Sequence, residues 1–138
     1  MRCMIILNND ATAEAKLPSP DIFRAMSNYN KVLYDAGVLR ALEGLSPEQS
    51  AKVTFAGGKY SAKDGPFAEA KELIGGFWII EVESVAKAVE WAKRMPVIEG
   101  ASVEVRRVSE IDDFKGLMPP ETIAQEEIIR DGLARRKG

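Results

Sequence analysis

Two short apolar runs constrain this chain more than any other feature: Cys3 to Leu7, and Phe77 to Val82 with Glu81 as its one charge. Neither approaches the ~20 apolar residues that cross a bilayer. Both read as strands that carry apolar residues on either side of the pleat. Such strands need cover on both faces of their sheet.

The rest of the chain has to supply that cover. Ser19-Pro20-Asp21 is a strong helix start: serine caps, proline suits the first helical position, and aspartate complements the positive end of the dipole. Ile22, Met26, Tyr29 and Leu33 follow at helical spacing, and Gly37 stops the helix. Val38 to Leu42 is the next expected strand, closed by Gly44 and Ser46-Pro47. Lys52 to Tyr60 reads as a hairpin, with Val53 and Phe55 alternating with polar residues and Gly57-Gly58 as the turn. Ser84 caps a second helix running to Arg94, with Val85, Ala88, Ala92 and Met95 on its inner stripe and Pro96 as its stop. Ser102 to Val108 alternates as a last strand. Residues 9–18 read as a polar loop and 109–118 as a connector. Pro119-Pro120-Glu121 opens a final short helix with Ile123, Ile128, Ile129 and Leu133.

The order is β-α-β, a hairpin, then β-α-β. This predicts an α+β fold: a ferredoxin-like antiparallel sheet with extra strands and helices on one face. Two main helices leave the second face bare, and burying it gains roughly 1.5–3 kcal/mol per large side chain. A second copy of the same sheet is the simplest cover, so a homodimer with facing sheets is expected. The other way to cover it is for the C-terminal helix to fold back.

Composition narrows the function. With 138 residues, 15.2 kDa, a net charge of -2 and pI near 5.3, the chain suits one ordinary domain with no general affinity for nucleic acid or anionic membranes. Arg135-Arg136-Lys137 reads as a solvated end. Cys3 is the lone cysteine, so no intrachain disulfide can form and a reducing compartment is expected. No signal-peptide pattern opens the chain, and the expected location is cytoplasmic. No histidine is present. Serine or cysteine triads of the usual kind and most zinc sites are thereby excluded. Acid–base work would fall to Asp, Glu, Lys or Tyr, and no metal or cofactor is expected. Gly57-Gly58-Lys59 is not a phosphate loop: Val53 stands where its first glycine belongs, and Tyr60 where Ser or Thr belongs.

Chemistry and backbone constraint coincide at Asp64-Gly65-Pro66-Phe67, followed by Glu69, Lys71, Glu72 and Gly75-Gly76-Phe77-Trp78. Together with Ala36-Gly37-Val38-Leu39, Glu43-Gly44-Leu45, Gly57-Gly58-Lys59, Ala88-Val89-Glu90-Trp91-Ala92 and Glu104-Val105-Arg106, this block resembles the DGPF-domain branch of the YCII-related family. The resemblance spans residues 1–114 and leaves 115–138 as a C-terminal helical extension. It implies a bacterial protein, a ferredoxin-like fold that dimerises as an α+β barrel, and relatives sometimes linked to alternative sigma factors. A His-Asp pair proposed as catalytic in some relatives cannot carry over whole, because the histidine is missing.

Asp64 is the candidate proton acceptor, and it is equally a good turn residue. Lys71 would assist it by neutralising an anion; Lys71 and Glu72 are otherwise an exposed pair. Glu72, Arg106 and Tyr34 are candidate ligand-binding residues. Arg106 suits a ligand carboxylate or phosphate, or a cross-strand ion pair with Glu104 of a second copy or with Glu81. Tyr34 is core by default. Two functions remain open: a small-molecule enzyme using Asp64, and a non-catalytic ligand-binding or regulatory module in which the segment is structural.

Overall fold

A computed structural model describes residues 1–9, 19–66 and 73–137. The chain forms two compact units, Met1–Arg107 and Val108–Gly138.

In the first unit, β1 (Arg2–Asn9), α1 (Pro20–Asp35), β2 (Leu39–Gly44), β3 (Ala51–Ala56), β4 (Lys59–Asp64), β5 (Ile74–Glu81), α2 (Val85–Ala92) and β6 (Ala101–Arg107) follow in order. Four strands make one antiparallel sheet in the order β2-β5-β1-β6, and β3 and β4 pair separately. The expected strand at 77–82 begins earlier, at Ile74. Gly75-Gly76 makes this possible. The register shifts opposite Leu7 and Asn8, and a Cβ on Gly76 would lie 2.8 Å from the Glu43 carbonyl oxygen. Only glycine admits that approach, so the pair serves both a bulge and a close neighbour.

Both helices start as their sequences dictate. The Ser19 hydroxyl accepts from the Ile22 amide at 3.2 Å, and the Ser84 hydroxyl from the Lys87 amide at 3.2 Å. Gly37 takes φ 75° just past α1. Gly57 and Gly58, at φ 59° and 75°, turn the hairpin.

The core lies between the sheet and these helices. Cys3, Ile5 and Ile80 from the sheet and Leu33 and Ala88 from the helices are fully buried. Trp78, Tyr29 and Met95 complete the cluster. One hydrogen bond joins sheet to helix and another joins the two helices: the Trp78 indole N–H donates to the Asn30 side-chain oxygen of α1, and the Tyr29 hydroxyl of α1 donates to the Trp91 carbonyl of α2, both at 2.8 Å. Thus each buried aromatic with a polar tip has a partner.

In the second unit, a short 3-10 helix (Ile111–Phe114) begins at Glu110, whose amide donates to the Asp113 carboxylate at 2.7 Å. Helix α3 (Pro120–Lys137) then runs 18 residues, longer than the short helix the sequence predicts. Ile128, Ile129 and Leu133 remain 46–69% exposed on it.

Candidate functional site

Strand alternation decides what the sheet leaves open. Cys3 and Ile5 of β1 face the helices, so Met4 and Ile6 face away. Met4 pairs with Ile79 of β5 and Arg106 of β6; Ile6 pairs with Phe77 and Glu104. The result is an apolar centre of four half-buried side chains on the face that neither α1 nor α2 covers. Charges border it. Arg106 donates from Nε to the Glu104 carboxylate two residues before it on the same strand. Arg40 pairs with Glu81 at 3.3 Å. Arg106 therefore pairs along its own strand rather than across strands, and Glu81 serves Arg40 instead. The Arg106 side chain remains 73% exposed, with donors to spare for a further anion.

The candidate residues do not gather at one place. Arg106 borders the open face. Asp64 ends β4, directly across from Ala51, and is exposed. The following Gly65-Pro66 peptide is cis, and the Gly65 amide donates to the Ser50 carbonyl at 2.8 Å. A Cβ on Gly65 would meet the Ser50 hydroxyl at 1.9 Å, so a larger residue here would have to displace that hydroxyl from its bond to the Pro47 carbonyl. Tyr34 is 73% exposed, one position past the fully buried Leu33. The other two candidates, Lys71 and Glu72, lie outside the described residues, as does Phe67.

A groove that the sequence reading missed lies on the helical side. It holds about 250 Å³ between α1 and the segment after α2, lined by Ala25, Asn28, Tyr29, Val32, Arg94 and Pro96. The Arg94 guanidinium lies 4.6 Å from the centre of the Trp91 ring, which fixes its direction. The groove is wide open to solvent. A Trp-x-x-Arg pair on a helix surface was its one available sequence signal.

Burial pushes the Tyr29 hydroxyl up to about 12, against a smaller opposing pull from Arg94. Burial also pushes the Cys3 thiol up, opposed by the N-terminal ammonium and Arg107, so Cys3 is a poor nucleophile. Among the described residues no cluster of His, Cys, Asp or Glu could hold a metal ion, and no buried side-chain nitrogen or oxygen lacks a hydrogen-bond partner. None of the described helices is long and apolar enough to cross a membrane.

A four-stranded antiparallel sheet in this order, backed by two helices on one face, is a ferredoxin-like α+β fold. The match to a family model is equally direct: the YCII-related domain covers residues 1–112, and the chain belongs to that family. A relative is the uncharacterized protein R00369 of Rhizobium meliloti (strain 1021), 28% identical over 93 residues, which span 65% of this chain and 75% of that protein.

Proposed function

We propose that this is a bacterial, cytoplasmic member of the DGPF branch. In this reading it works as a homodimer joined through its open sheet faces and binds a small molecule at their margin. The observation that carries the reading is the apolar centre of Met4, Ile6, Phe77 and Ile79, edged by charges of both signs. Mixed charges around an apolar patch are self-complementary under two-fold symmetry, where the same patch meets itself. Arg106 supplies a fork for an anionic group on the ligand. Asp64 is the proton acceptor of the enzymatic form of this reading, assisted by Lys71, with Glu72 and Tyr34 contributing to binding.

A second reading, ligand binding without turnover, is favoured by the exposed hairpin position of Asp64. Asp64→Asn separates the two. In the enzymatic form the variant melts within about 1 °C of wild type and loses turnover, because the exposed amide keeps the backbone pairing. In the binding form it keeps any ligand retained from the cell, measured by native mass spectrometry. Purified wild-type protein that carries no retained small molecule, and whose crystals show no density near Arg106 or Asp64, would contradict both.

A further inference from the structure

We infer that the β3–β4 hairpin is an arm whose apolar face packs onto a second copy of the chain. This rests on the homodimer reading above and adds a second contact surface to it.

Cross-strand register sorts the hairpin into two unlike faces. Ala51, Val53, Phe55, Tyr60, Ala62 and Asp64 share one; Lys52, Thr54, Ala56, Lys59, Ser61 and Lys63 share the other. Every residue of both strands is exposed. Val53, Phe55 and Tyr60 are 62–78% exposed, although they belong to the apolar face. The Phe55 and Tyr60 rings already lie with centroids 4.9 Å apart, forming an ordered ridge.

A two-stranded hairpin is marginally stable in water without something to pack on. The three lysines mark the side that stays in solvent and guard it against unwanted pairing. The opposite face is then the contact side.

Interface size points to a second copy as the occupant. A stable interface takes roughly 800 Å² and 20–30 residues from each partner. Four half-buried side chains at the centre of the open sheet face fall well short of that. In a symmetric pair every patch is used twice, so each hairpin adds six residues to the contact. Charge agrees: the one charge on the arm's contact face is Asp64, and the open sheet face presents the guanidinium of the exposed Arg106 side chain. Docking of the arm would take Asp64 out of water and set it against that guanidinium.

The test uses the full chain. Sedimentation gives the dimer dissociation constant for wild type, for the double variant Phe55→Ser/Tyr60→Ser, and for Lys59→Ser on the opposite face. The double variant should dissociate at least about tenfold more readily, as loss of two central aromatics implies, while Lys59→Ser should match wild type. In parallel, a photo-cross-linking amino acid replaces Tyr60 in a mixture of 14N- and 15N-labelled chains. Cross-links between chains are expected. A wild-type-like dissociation constant for the double variant, with cross-links only within a chain or none, overturns the arm and leaves the homodimer standing. Wild-type binding to anionic phosphatidylserine vesicles that the double variant loses, at an unchanged dissociation constant, also overturns it. A wild-type monomer removes both.

Discussion

The two faces of the central sheet are one residue apart in sequence and far apart in environment. Cys3 and Ile5 of β1 are fully buried beneath the helices, whereas Met4 and Ile6 between and beyond them are half-buried on the other side. Trp78 and Ile80 contrast with Phe77 and Ile79 in the same way along β5. The side chains are chemically alike on both faces, so composition did not decide which is covered. The amphipathic helices and the segment after α2 did, through Tyr29, Leu33, Ala88 and Met95. A sheet face of this composition that neither α1 nor α2 covers is the face proposed to meet a second copy.

Four measurements probe how differently the two faces behave. Ile5→Ala should cost about 2–5 kcal/mol in urea unfolding at any protein concentration, because it leaves a cavity in a closed core. Next comes Ile6→Glu, one residue away on the open face. It should cost the isolated chain little, yet raise the dimer dissociation constant by about a hundredfold, through an unpaired carboxylate in the interface. A fold lost outright by Ile6→Glu at high dilution would mean that the open face is already core.

The third measurement uses alkaline pH. Tyr29 is raised to about 12 in the folded chain from the ordinary value near 10. The unfolded chain therefore releases the phenolic proton first. Stability from this group is full below about pH 10 and falls by about 1.4 kcal/mol per pH unit until it is lost through about pH 12. Tyr29→Phe should remove that alkaline decline from urea titrations, at a cost of about 1 kcal/mol at neutral pH for the lost bond to Trp91. The smallest effect is expected of Arg40→Ala. Its pair with Glu81 is about half exposed, so thermal melts should show a loss below about 1 kcal/mol that shrinks further in high salt.

Much of the fold was readable because local signals agreed with the packing. Ser19-Pro20-Asp21, Ser84 and Gly57-Gly58 fall where caps and turn are needed. Helix α3 was harder to read. Ile123, Ile128, Ile129 and Leu133 fall on several sides of the helix at about 100° per residue, so no single stripe announces its length. The site was harder still. Tyr34 lies five residues after Tyr29, about 140° round the helix, which turns one tyrosine inward and the other to solvent. The hairpin's alternation was visible in Val53 and Phe55, but its significance depends on how exposed Val53, Phe55 and Tyr60 are in the fold. That is a tertiary fact, and periodicity alone cannot supply it.

Light scattering on the intact chain across micromolar concentrations reports whether two chains associate. A particle of twice 15.2 kDa is expected, and Ile6→Glu should reduce it to a single folded chain. A wild-type mass of 15.2 kDa throughout that range would contradict it.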